Sequence, residues 1–171
     1  MSLALAVVLL VAILRLGELV HASRNEARLR AAGGVEAGRS HYPPIVLLHG
    51  AWLAVMAVAA WRGSTINWFW LGFFLLLQPL RAWTVLSLGR FWTTRVITLP
   101  DAPLIRRGPY RFIRHPNYLV VELEIISLPL ALGLWPAALL FGLANAGLLA
   151  WRIRIEEQAL SARRPLPGAY G

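Results

Sequence analysis

Two short stretches carry most of the residues with chemistry to offer. Residues 108–118 read GPYRFIRHPNY and supply Tyr110, Arg111, Arg114, His115, Asn117 and Tyr118 within eleven positions. Residues 152–160 read RIRIEEQAL and supply Arg152, Arg154 and the paired carboxylates Glu156 and Glu157. Together they offer flat rings, an imidazole, guanidinium donors and two carboxylates. That set suits a nucleoside bearing an amino acid and a cationic centre. Carboxylates accept ribose hydroxyls or an ammonium group, and tyrosine rings attract a sulfonium through its charge. The glycine-rich strand-to-helix turn of soluble nucleotide folds is missing. Pro116 suits a first helical turn, whose backbone N–H groups are left without intrahelical partners. Tyr118 and Glu122 stand i,i+4 on the helix that follows, so they share a face.

These stretches need elements that bring them together, and the apolar patterning provides them. Of the 171 residues, 58% are hydrophobic and eight are Trp. Soluble domains sit nearer 45–50% apolar. A bilayer core of about 30 Å takes roughly 20 mostly apolar residues in helical form. Residues 3–20, 43–61 and 66–88 meet that requirement, and 118–134 and 135–151 form a further pair around a turn at 133–136. Backbone groups in lipid must satisfy one another, so an all-helical reading follows. The expectation is an all-α, polytopic membrane protein with about five membrane-embedded helices, the last two a helical hairpin. It reads as one domain, with three helices in 1–88 and the loop, hairpin and tail in 89–171. Glu122 and Glu124 shorten the apolar part of the hairpin's first arm, and Pro79 marks a kink in the third helix. A hairpin that descends from Tyr118 and returns by Trp151 sets the two chemical stretches on one membrane face.

All 17 basic residues are arginine, against eight acids, for a net charge of +9. Except for Arg15, Arg62 and Arg81, they fall in the first connection, the third connection and the tail. Alternation of this kind is the positive-inside pattern, which places the N-terminus outside and the C-terminus in the cytosol. It also argues against a nucleic-acid partner, which wants basic residues gathered on one face. No cysteine is present, so thiol nucleophiles and thiolate metal sites are excluded, and no metal is expected. Val20-His21-Ala22 has the look of a signal cleavage site, but no basic stretch precedes the apolar run, so 3–20 reads as a retained helix.

The two motifs in this order, separated by an apolar hairpin, resemble the isoprenylcysteine carboxyl methyltransferase family of integral membrane enzymes. The resemblance covers residues 89–160. It implies an S-adenosyl-L-methionine-dependent methyltransferase acting on an oxygen, carboxylate or phenol/enol, of a lipophilic acceptor. It further implies that Tyr110, His115, Pro116, Asn117, Tyr118 and Glu156 bind the cofactor, and that Ala102, Leu104 and Ile105 line its pocket. Arg152 and Glu122 are then the candidates for the catalytic role, with Arg152 facing the acceptor. In the first half, Arg15, Gly17-Glu18-Leu19, Ser23, Asn25, Glu36, Gly38 and His41-Tyr42-Pro43 resemble bacterial members that O-methylate alkylpyrones or alkylresorcinols. A bacterial inner membrane is the location this implies, with membrane lipids and an alkyl- or prenyl-chain substrate as partners.

Simpler roles are expected for several polar residues. Arg15 and Glu18 have the spacing of an i,i+3 ion pair at a membrane boundary. Asn145 suits interhelical hydrogen bonding. His41 and His49 suit packing, with His41 the better functional candidate. Of Glu122 and Glu124, one is expected to face the site and the other water. A gap between the third and fourth helices is the expected entry for the acceptor's tail. Two other functions fit the class of protein: an NADPH-dependent membrane sterol-type reductase, and a non-enzymatic membrane scaffold.

Overall fold

The computed structural model describes residues 2–99, 102 and 105–161. Leu104, Arg163 and Arg164 lie outside them. Five α-helices carry the fold: α1 Leu3–Ala31, α2 Tyr42–Trp61, α3 Trp68–Leu88, α4 Pro116–Ala131 and α5 Trp135–Ser161. Ser2 caps α1 and Asn67 caps α3, each accepting a backbone N–H two or three residues on. Pro43 and Pro116 sit in the first turns of α2 and α4, where a missing N–H costs nothing. Pro79 lies inside an unbroken α3.

Four helices are long and apolar enough to cross a membrane: α1, α2 with the turn before it, α3 with the turn after it, and α5. Their outward faces expose Leu9, Leu10, Ile13, Leu47, Phe69, Leu76 and Leu143, the reverse of a soluble surface. The chain is a membrane protein. The remaining helix, α4, has 16 residues and spans about 24 Å, short of a hydrocarbon core. It is enclosed by the others instead. Ile125 and Leu128 pack with Val8, Trp52, Met56 and Phe74, and Trp52 donates its indole N–H to the Ile125 carbonyl at 3.1 Å.

The structure departs from the sequence reading in several places. The first helix runs eleven residues past Val20, because Glu26, Ala27, Arg28, Leu29 and Arg30 favour helix once water can solvate their heads. The last helix likewise continues through Arg152 to Ser161, so the second motif is helical throughout. A two-stranded antiparallel sheet adds to the helices: β1 Val35–Ala37 pairs with β2 Val96–Thr98, Glu36 opposite Ile97. Finally, no gap separates α3 from α4. They pack more extensively than any other pair of helices, joined by Asn67 N–H to the Ala131 carbonyl at 2.8 Å and by Gln78 and Arg81 to Glu124.

The Arg15–Glu18 pair forms as spaced, at 2.8 Å, but it belongs to a larger cluster. Arg15 also reaches Glu124 at 2.9 Å, and Arg81 reaches Glu18 at 2.6 Å and Glu124 at 2.8 Å. Gln78 closes the set by donating to Glu124 at 2.9 Å. Two guanidiniums and two carboxylates thus tie α1, α3 and α4 inside the bundle with no net charge. Glu124 is 4% exposed, which corrects the expectation that one of the two α4 glutamates faces water. Burial without a partner would be far costlier than this exchange of charges.

Candidate active site at the basic end of the bundle

The hairpin geometry brings the two motifs together. From the N-terminus of α4 and the C-terminal third of α5, Tyr118 and Glu156 approach until the phenol donates a hydrogen bond to the carboxylate. Arg152 Nε donates to the same phenolic oxygen at 2.8 Å, and its guanidinium lies 5.5 Å from the Tyr118 ring centre. His115 stacks on Tyr118 with ring centres 5.3 Å apart and planes 13° from parallel. Its two nitrogens stand 3.9 Å from Glu156 and 3.7 Å from Glu157.

These residues line a cavity of about 890 Å³ that also takes in Ala102, Ile105, Tyr110 and Asn117. Ligand sites commonly fall between 300 and 1,000 Å³. The far wall comes from Leu88, Phe91, Trp92, Arg95 and Val96. On two of the lining residues, His115 Nε2 and Asn117 Oδ1 are buried without a hydrogen-bond partner among the described residues. Buried polar atoms are seldom left unpaired, so a side-chain shift that turned either toward a ligand would give up no hydrogen bond. Burial, and then the nearby Glu156 carboxylate, push the Tyr110 hydroxyl above its ordinary value, so it stays a neutral donor at physiological pH.

The 105–115 segment is held by local backbone demands. Arg107 donates to the Ser87 carbonyl at 2.7 Å, tying the segment to the end of α3. Gly108 has φ +58°, and a Cβ there would meet Ser87 Oγ at 2.0 Å. Only glycine lets the chain pass α3 this closely. Across the cavity, Asn25 on α1 is 1% exposed and donates to the carbonyls of Gly89 and Trp92. Glu26 accepts from Thr94 Oγ1 at 2.9 Å and from the Arg95 N–H at 3.2 Å. Glu36 on β1 holds Arg95 at 2.7 Å and Arg30 at 2.5 Å. The Arg95 guanidinium lies 4.1 Å from the Tyr42 ring centre. The first half of the chain therefore secures one wall of the cavity.

Of the residues singled out in the sequence, Ala102, Ile105, Tyr110, His115, Asn117, Tyr118, Arg152 and Glu156 all line this cavity. Pro116 starts α4 just behind it, and Leu104 lies outside the described residues. Glu122 stands apart. It is one turn deeper on α4, accepting from Asn145 Nδ2 at 2.8 Å across the hairpin, and is not part of the lining. The shared helix face with Tyr118 is real, but the close approach of α5 fills the space above it. Asn145 does bridge the two helices, as its type suggests. Thr94 and Arg95 were not singled out as site residues, because their places are set by the short strand Val96–Thr98 that follows them.

A second cavity, of about 580 Å³, opens at the opposite end of the bundle between α2 and the turn before α5. Among the described residues Arg62 is its one charged lining residue, and none of the motif residues reaches it.

Comparison with known proteins gives the family. No solved structure matches the chain. The chain is 38% identical over 159 residues to the uncharacterized protein YpbQ of Bacillus subtilis, covering 89% of this chain and 95% of that protein. It is 24% identical over 143 residues to an uncharacterized protein of Haemophilus influenzae, covering 81% of this chain and 83% of that one. Residues 70–162 match the model of the isoprenylcysteine carboxyl methyltransferase family, a span that holds α3, both motifs and the hairpin between them. The chain belongs to the isoprenylcysteine carboxyl methyltransferase family, a family of membrane methyltransferases.

Proposed function

We propose that the chain is an S-adenosylmethionine-dependent O-methyltransferase whose acceptor is a lipophilic carboxylate, phenol or enol. The observation that carries this reading is the cavity at the basic end, where Glu156, Tyr118 and Arg152 converge beside the unpaired His115 Nε2 and Asn117 Oδ1. Glu156 accepts ribose or ammonium protons, His115 and Asn117 supply the remaining polar contacts, and the rings of Tyr110 and Tyr118 favour a cationic centre. When bound, S-adenosylmethionine supplies an activated methyl group on its sulfonium. Arg152 holds the acceptor's oxygen as an anion, and an acidic enol or carboxylate needs no strong base near neutral pH. Fixing the acceptor oxygen in line is then the main contribution of the protein. Glu122, paired with Asn145 below the cavity, supports α4 rather than the reaction.

The basic end faces the cytosol in this reading, in keeping with the arginine distribution. Similarity to bacterial proteins favours the inner membrane. The first-half residues Asn25, Glu36 and His41, all engaged with the cavity wall, favour an alkyl-chain acceptor of the alkylpyrone or alkylresorcinol kind. Titrating purified protein with S-adenosylmethionine tests the core of the reading. Saturable binding is expected, with collapse in His115→Ala and Glu156→Ala at unchanged melting temperature. Equal affinity in the wild type and both variants sinks it.

A further inference from the structure

His41 lies outside the segment that matches the family model, yet it touches the centre of the site. It is 1% exposed, on the turn Arg39–His41 just ahead of α2. Its Nδ1 is hydrogen-bonded to the Gly38 carbonyl. A carbonyl only accepts, so Nδ1 carries the proton and Nε2 keeps its lone pair. That lone pair faces Arg152 Nη1 at 3.5 Å. The turn is seated against α5. Gly38 has φ +59°, and a Cβ there would meet Ile155 Cγ2 at 2.5 Å. The His41 ring also meets Trp151 edge-on at 6.3 Å.

Arg152 is held through Nε and Nη1, which lie on different edges of the guanidinium. Nε donates to Tyr118 Oη, and Nη1 donates to the Thr94 carbonyl at 2.6 Å and faces His41. Nη2 has no hydrogen bond among the described residues, although Arg152 is 7% exposed and lines the cavity. The guanidinium fork is rigid and planar, so fixing Nε and Nη1 also fixes where Nη2 points.

We infer that His41 is a positioning residue for Arg152: its neutral Nδ1–H tautomer locks the guanidinium so that Nη2 keeps an N–H donor free for the oxyanion of the acceptor. A polar link then runs His41, Arg152, Tyr118, Glu156, from the N-terminal half of the chain to the carboxylate assigned to the cofactor. The inference rests on the methyltransferase reading for its consequence, but its geometry is testable apart from activity.

Two measurements on the full-length protein test it. In steady-state methyl transfer to a synthetic alkylresorcinol, His41→Leu is expected to raise the acceptor KM about tenfold, the scale of one hydrogen bond to a charged group. The dissociation constant for S-adenosylmethionine should stay within about twofold. His41→Gln, whose Oε1 can still accept from Arg152, should recover most of the loss. Equal damage in Leu and Gln variants, or cofactor binding lost in step with the acceptor, would mean that His41 only supports the fold. Nitrogen-15 spectra of labelled histidine, with the His41 signal identified by its loss in His41→Gln, should show a neutral ring protonated at Nδ1 at pH 7. An Nε2–H tautomer or an imidazolium overturns the proposal even in a preparation that transfers methyl groups. The expected tautomer in a preparation that neither binds S-adenosylmethionine nor methylates would instead bring down the functional reading while leaving the His41–Arg152 contact standing.

Discussion

Two polar clusters in this molecule use the same residue types to opposite ends. Deep in the bundle, Arg15, Glu18, Arg81, Glu124 and Gln78 satisfy one another across three helices. At the basic end, Tyr118, Arg152, Glu156 and His115 also come from different elements, but they surround a cavity and leave buried polar atoms unpaired. The first cluster has two cations and two anions, each paired with a partner of opposite charge. The second has donors and acceptors whose partners are incomplete. The completeness of the hydrogen bonding, more than the presence of charge, is the difference between this staple and the candidate site.

The largest effect should come from opening the closed cluster. Arg81→Leu removes three hydrogen bonds, two to Glu18 and one to Glu124, and leaves two carboxylates facing one guanidinium. A loss of about 3–5 kcal/mol is expected, because the remaining charge stays buried without compensation. Thermal unfolding in detergent should show it as a large drop in melting temperature. Adding Glu124→Leu removes the surplus charge and should recover part of that loss. No recovery in the double variant would mean that the pairing matters less than packing at these positions.

At the open cluster the expectation reverses. Glu156→Gln keeps the shape but removes the charge, so S-adenosylmethionine affinity should fall by about 10–100-fold. Stability should change by no more than about 0.5 kcal/mol, since Glu156 sits partly exposed at a water-facing helix end. Titration calorimetry paired with melting curves separates the two quantities. A Glu156→Gln protein that melts early and binds normally would erase the distinction between the clusters. Tyr118→Phe is a finer cut. It keeps the ring stacked on His115 but deletes the oxygen shared by Glu156 and Arg152. About a tenfold loss in kcat/KM for the acceptor is expected, with a smaller change in cofactor affinity.

The two clusters also differed in how far the sequence betrayed them. The open one was legible because its members lie in two compact motifs, and the intervening apolar length forces a return to the same membrane face. Tyr118 and Glu156 could be joined on that ground alone. Glu122 stays out of the cavity lining, since periodicity gives the helix face but not the depth at which a neighbour closes over it. Of the closed cluster only Arg15 and Glu18 were readable, through their i,i+3 spacing. Glu124, Gln78 and Arg81 join by the register between helices, which local sequence does not encode. The extensions of α1 to Ala31 and of α5 to Ser161 were missed for a different reason. Bilayer thickness limits the apolar run and places no limit on the helix that continues into water. The β1–β2 pair is too short to leave any period in the sequence.

A third group shows whether pairing or location sets the energetic scale. Glu36 is paired with Arg30, Arg39 and Arg95, as completely as Glu124 is, but at the end of the bundle where Arg39 is open to water. Burial alone would raise its carboxyl, but hydrogen bonds from Arg30 and Arg95 outweigh that and hold it below the ordinary carboxylate value. A group lowered on folding stabilises fully above its unfolded value, about 4.3, and loses that contribution as pH falls through the lower folded value. Glu36→Gln should therefore cost about 1 kcal/mol at every pH from about 8 down to 5. The gap to wild type should narrow below about pH 4, as the wild-type carboxyl takes up its proton. Melting curves across that range read the effect directly. A loss at pH 7 as large as that of Arg81→Leu would show that pairing, wherever it sits, carries the stability of this bundle, and would undo the contrast between the cluster among α1, α3 and α4 and the clasp at the end of the bundle. A small loss that fades in acid keeps the enclosed cluster as the staple and leaves the clasp at Glu36 the lesser task of holding the wall that carries Thr94 and Arg95 against the cavity.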